Sequence, residues 1–180
     1  WKDHATNKKR GLRVHVATAY FVPKPHTPFQ WEKQITPEEY LRRCRLLKSH
    51  FYSKAITYDY HAPDLSRLEA VFARGDRRLG PVIEEAVKNG AKLDGWDEYF
   101  NYANWFDAFQ ECGIDPHFYT VRGYGEDELL PWDMIDVGVR KEHLLHEKHQ
   151  CYASALSPDC RKQCSACGAA KLLKGGRCDG

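Results

Sequence analysis

Four cysteines in the pattern Cys160-x3-Cys164-x2-Cys167-x10-Cys178 constrain this chain more than any other feature. At such short spacings tight turns aim successive thiolates inward, so they can converge on one metal centre. From Ser157 to Gly180 the only large apolar residues are Leu172 and Leu173, too few to hold the segment together without one. No secretory signal pattern occurs, and cysteine clusters in such a chain point to zinc or iron–sulfur ligation rather than disulfides. The predicted ligands are Cys160, Cys164, Cys167 and Cys178, with His149 and Cys151 just upstream as alternates.

The donor set fits two metals. Four cysteines satisfy a tetrahedral structural zinc, and equally a fully ligated [4Fe–4S] or [2Fe–2S] cluster. The x3, x2 spacing is also that of the open-site cluster of radical SAM enzymes. That motif belongs near the start of a βα barrel, whereas only 13 residues follow Cys167. Cys178 is therefore the expected fourth ligand.

A chain of 180 residues, 42% hydrophobic and 13% aromatic, fits one domain with an appendage. The net charge of +2 makes no case for nucleic acid or an anionic membrane. No run of about 18 apolar residues is present to span a bilayer. Seven cysteines without a signal suit a reducing compartment, so the expected location is cytoplasmic. Cys44 and Cys112 lie in amphipathic stretches and read as small buried apolar residues. The first residue is Trp, followed by the polar stretch Lys2 to Arg10, which reads as an internal piece of a longer protein.

Leu12 to Phe21 alternates in period two and predicts a strand. Pro23, Pro25 and Pro28 then forbid regular helix and predict a stiff loop to Trp31. Thr36-Pro37-Glu38-Glu39 opens a helix with a capping box, and its stripe is Tyr40, Leu41, Cys44, Leu47 and Phe51. Ala55 to Tyr60 predicts a second strand, completing a βαβ-like unit. Helices follow: one capped by Asp64 and stopping near Gly75, one from Leu79 to Asn89, one from about Asp97 to Cys112, and a last from Arg140 to Ala153. Asp94 and Asp97 read as helix caps. His143, His146 and His149 repeat at i, i+3 and i+6 and form no single ligand face. Trp96, Trp105 and Trp132 with Tyr99, Tyr102 and Phe106 read as core rather than a base-stacking set.

Several segments resemble a known family. Phe21-Val22-Pro23-Lys24-Pro25-His26-Thr27-Pro28-Phe29-Gln30-Trp31, Ala73-Arg74-Gly75-Asp76-Arg77-Arg78-Leu79-Gly80 and Leu130-Pro131-Trp132-Asp133 look like signatures of uncharacterised radical SAM proteins with an N-terminal B12-binding-type domain. The ending Pro158-Asp159-Cys160-Arg161, then Cys164-x2-Cys167-Gly168, is similar as well. In many relatives the fourth cysteine follows more closely than Cys178 does here. The resemblance runs from about Leu12 to Cys178. It implies that the chain carries the end of a radical SAM barrel and the family's C-terminal extension. The SAM-binding cysteines and the cobalamin-type domain would then lie upstream.

The resulting expectation is an α/β chain with a partial βα-barrel edge, a mainly helical extension and a Cys-rich metal knuckle. The expected divisions are 1–60, 61–155 and 156–180. In a βα barrel, a loop leaving the C-terminal end of a strand faces the site. Lys24 and His26 there can meet a carboxylate, a phosphate or a substrate hydroxyl. Arg74, Arg77 and Arg78 around Asp76 read either as a substrate anion site or as ion pairs docking the extension onto the barrel. The expected cofactors are an iron–sulfur cluster or zinc at the cysteines, with SAM, and cobalamin by resemblance, bound upstream. Expected partners are the upstream domains and an RNA or protein substrate, with no membrane. The chain alone is not expected to be catalytic. The competing function is a zinc-knuckle module that binds RNA or protein.

Overall fold

Two five-residue strands, β1 (Val14–Thr18) and β2 (Ile56–Tyr60), pair in parallel across helix α1 (Pro37–Ser49). The computed structural model describes residues 11–96 and 98–172. The register sets Val14 opposite Ile56 and Thr18 opposite Tyr60, so Val14, Val16, Thr18, Ile56, Tyr58 and Tyr60 share one face. Tyr58 of that face packs with Tyr20, Ile35 and α1 residues Tyr40, Leu41 and Cys44. Tyr20 and Tyr40 stack at 4.3 Å, and burial pushes both phenols up to about 12. On the opposite face His15, Ala17, Thr57 and Asp59 are exposed. There His15 Nδ1 lies 3.0 Å from Thr57 Oγ1, and Nε2 lies 3.6 Å from Asp59.

Helix α1 begins as its sequence dictates. Thr36 Oγ1 accepts the Glu39 amide at 3.3 Å, and Pro37 takes the first turn, where no N–H is needed. Glu39 does not close the capping box, because its carboxylate is held by Arg42 and Arg43, which pull it down to about 2.

The helical part comprises α2 (Pro63–Arg74), α3 (Leu79–Lys88), α4 (Tyr102–Glu111), α5 (His117–Thr120) and α6 (Lys141–Tyr152). Leu68, Val71, Leu79, Val82, Ala86, Trp105, Ala108, Phe109 and Tyr119 form its core. Each large side chain buried this way contributes roughly 1.5–3 kcal/mol before entropy is counted. Two caps differ from expectation. Asp64 lies inside the first turn of α2, because Pro63 occupies the opening position and Ala62 precedes it. Helix α4 begins at Tyr102, capped by Asn101, whose Oδ1 accepts the Ala103 amide at 3.1 Å. Asp94 instead accepts the Trp105 indole N–H at 3.1 Å, and Asp97 lies outside the described residues.

A further core joins segments far apart in sequence: Trp31 from the proline loop packs with Tyr124, Leu130, Trp132 and Leu144. Trp105 and Trp132 are buried as expected, whereas Trp96, Tyr99 and Phe106 are at least half exposed. The short helix η1 (Ala169–Leu172) ends the described part. Among the described residues no helix is long and apolar enough to cross a membrane.

Candidate metal and ligand site

The proline loop is held by one buried carboxamide. Gln30, 3% exposed, accepts the His26 amide at 2.9 Å and the Trp132 indole N–H at 2.6 Å on the same oxygen. Thr27 Oγ1 donates to the Lys24 carbonyl at 2.7 Å, and the Gln30 amide to the Thr27 carbonyl at 3.1 Å. These bonds hold His26 at φ 56°, a left-handed backbone that a non-glycine residue seldom adopts. His26 borders a cavity of about 320 Å³ with Gln30, Asp133, Asp136 and Lys141. Lys24 is not in that cavity: its ammonium pairs with Glu69 on α2.

The three predicted arginines part into three environments. Arg74 is fully buried, with Nη1 donating to the Glu32 carbonyl and Nη2 to the Arg122 carbonyl at 2.8 Å. Its guanidinium lies 4.4 Å from the Tyr124 ring centre, and the Tyr124 hydroxyl donates to the Arg74 carbonyl at 3.3 Å. Burial pushes its pKa down, the opposite of what an anion partner would do. Arg74 therefore docks loop 31–32 onto the 122–124 segment and has no face open to a ligand. Gly75 follows because nothing larger fits: a Cβ there would sit 2.0 Å from Leu79 Cδ1 and 2.8 Å from the Val71 carbonyl.

Arg78 closes a bidentate pair with Asp76 at 2.7–3.1 Å and stacks 5.1 Å from the Phe118 ring centre. That guanidinium holds the Asp76 carboxyl below the usual carboxylate range. Arg77 is exposed and has no acceptor among the described residues. It borders a cavity of about 840 Å³ with Gly75, Asp76, Arg78, Leu129, Leu130, Pro131 and Met134. The 73–80 and 130–133 segments thus meet across one concavity.

The cysteine tail is anchored to the start of α6. The Arg140 amide donates to the Cys167 carbonyl at 2.8 Å, and the Arg140 side chain to the Ala166 carbonyl. Two of the sulfurs sit in turns whose following amides point at them: Ala166 N–H to Cys164 Sγ and Ala169 N–H to Cys167 Sγ, both 3.4 Å. Backbone N–H donors of this kind also surround the sulfurs of metal-bound cysteines. Gly168, at φ 104°, makes the second turn feasible, since a Cβ would stand 2.6 Å from the Gly138 carbonyl. Cys160 and Cys164 are exposed and Cys167 half-buried. The chemistry at Cys164 and Cys167 fits a thiolate-bound metal. Among the described residues, however, no three His, Cys, Asp or Glu side chains converge closely enough to hold one. Cys178 lies outside the described residues. Of the alternates, His149 pairs with Glu126 at 3.1 Å, and Cys151 is exposed on α6.

Sequence reasoning singled out neither Arg122 nor Met134. Arg122 pairs with Glu128 at 2.8 and 3.2 Å and stacks 4.4 Å from Tyr124, and its only sequence signal is the turn-rich Arg122 to Glu128 stretch. No known protein family, curated protein or solved structure matches this chain.

Proposed function

We propose that this chain is the C-terminal portion of a radical SAM enzyme, forming part of its substrate pocket and carrying an auxiliary metal at its cysteine tail. The observation that carries this reading is convergence. The four segments that resemble the family lie far apart in sequence, yet three of them border the fourth or its neighbours: Gln30 accepts from Trp132, Arg77 and Pro131 line one cavity, and the Cys167 carbonyl accepts the Arg140 amide. The open β1–β2 pair supports the barrel-edge part. Among the described residues the sheet has two strands and one exposed face; parallel sheets are covered on both faces and two short strands alone are marginal, as expected of the edge of a larger barrel.

In this reading Cys160, Cys164, Cys167 and Cys178 hold an iron–sulfur cluster or a zinc ion. An upstream barrel holding S-adenosylmethionine beside a reduced [4Fe–4S] cluster would supply the chemistry: one electron from the cluster would split the cofactor into methionine and a 5′-deoxyadenosyl radical able to take hydrogen from substrate. This chain's own residues position and enclose: Gln30 fixes the His26 backbone at its cavity, Arg74 locks loop to extension, and Arg77 offers a cation with no acceptor among the described residues. Lys24, tied to Glu69, helps set the loop.

The amide-to-sulfur turns serve zinc equally well, and this favours one competing reading, a zinc-knuckle module that binds RNA or protein. Metal identity separates the two. Anaerobic reconstitution that yields a brown chain absorbing at about 400 nm supports the auxiliary cluster. A colourless chain with one zinc supports the module.

A further inference from the structure

We propose that the cavity between Arg77 and the 129–134 segment binds an anionic head group carried on an apolar body. The inference rests on the reading of that segment as a wall of the substrate pocket, and it names the substrate class.

The charge argument begins with the neighbours. Arg74 faces inward and is committed to the carbonyls of Glu32 and Arg122. Asp76 and Arg78 neutralise each other in a bidentate pair. Among the described residues, Arg77 is left as the one uncommitted charge on the cavity wall. The first turn of α3 adds little, because the Leu79 and Gly80 amides already donate to the carbonyls of Asp76 and Arg77 at 3.0 and 3.1 Å. Recognition of an anion here therefore depends on the Arg77 guanidinium, whose planar donors suit carboxylate and phosphate alike.

The rest of the wall is apolar. Leu129 and Met134 are 85% and 88% exposed, and Leu130 and Pro131 complete the surface between them. Large apolar side chains gathered around a concavity mark a binding surface rather than ordinary exterior. About 840 Å³ lies within the range of small-molecule pockets. One cation at the edge of an apolar hollow selects an amphipathic anion; a polyanion would need a row of cations.

Met134 is the sole methionine of the chain, so methyl-13C-methionine labelling puts one NMR signal inside the cavity. The probes are octanoate, octyl phosphate, octylammonium and octanol, each below its micelle concentration. Octanoate or octyl phosphate is expected to shift the Met134 methyl saturably, and whichever binds more tightly identifies the head group. Octylammonium should bind about 5-fold more weakly or less, the scale of one exposed ion pair. Arg77→Lys should keep that order and Arg77→Glu should reverse it, with circular dichroism confirming that both fold. Octanol binding as tightly as octanoate, an order unchanged in Arg77→Glu, or a methyl signal that none of the four moves would overturn the proposal. Metal content measured on the same samples separates the two ideas. A failed titration with metal retained removes the ligand class alone, and a good titration without metal removes the metal reading alone.

Discussion

The Trp132 indole donates to the Gln30 carboxamide at 2.6 Å, joining residues 102 positions apart in a buried hydrogen bond. The same oxygen holds the His26 amide, so one side chain sets both the loop and the segment facing it. Trp132→Phe keeps the ring and removes the donor. It is expected to destabilise the chain by about 1–2 kcal/mol in urea unfolding, the scale of one buried hydrogen bond. Gln30→Leu should cost more, because it strands both donors.

Arg74 and Arg77 should behave oppositely. Arg74→Met leaves the part-buried carbonyls of Glu32 and Arg122 without this donor and should cost about 3 kcal/mol in the same assay. Arg77→Ala should leave the thermal midpoint unchanged, since Arg77 holds no partner among the described residues. Equal losses in the two variants would contradict the division of roles.

Gly75→Ala tests packing rather than charge. The added methyl meets the buried Leu79 side chain at 2.0 Å and a backbone carbonyl that cannot retreat at 2.8 Å. A loss of about 1–3 kcal/mol is expected. Combining it with Leu79→Ala should recover part of that loss in a double-mutant cycle.

What the sequence made legible followed from local rules. The period-two stretch around Val14 and Val16, the Thr36-Pro37 opening and the stops at Gly90 and Gly113 each depend on neighbours within a turn, and each element formed close to its expected place. The start of α4 was misjudged because Asp97 resembles a cap as well as Asn101 does, and only the Asp94–Trp105 hydrogen bond gives the preceding stretch another use. The arginines were legible as charges but not as roles. Burial separates Arg74 from Arg77, and burial depends on loop 31–32 and Tyr124, which spacing along the chain does not reveal. Gln30 carried no periodic signal at all, because its partner Trp132 lies 102 positions away in sequence.

Acid should weaken the fold in part through two carboxylates that tie the helical part together. Arg78 holds Asp76, and Arg122 holds Glu128, below their ordinary values. A folded-state pKa below the unfolded one contributes stability that is complete above about pH 4 and is lost as pH falls through the lower folded value. The thermal midpoint should therefore drop below about pH 4. Asp76→Asn and Glu128→Gln should each make that drop shallower, and a wild-type midpoint flat down to about pH 2 would contradict the assignment.

Metal content per chain tests the central claim most directly. After anaerobic reconstitution and desalting, one bound metal centre per chain is expected. Cys160, Cys164, Cys167 and Cys178, each replaced singly by Ser, should lower that content, while Cys44→Ser and Cys112→Ser should leave it unchanged. The helical core around Val71 and Phe109 should stay folded throughout. A reconstituted chain that holds no metal, with all four tail cysteines titrating as free thiols, would contradict the account.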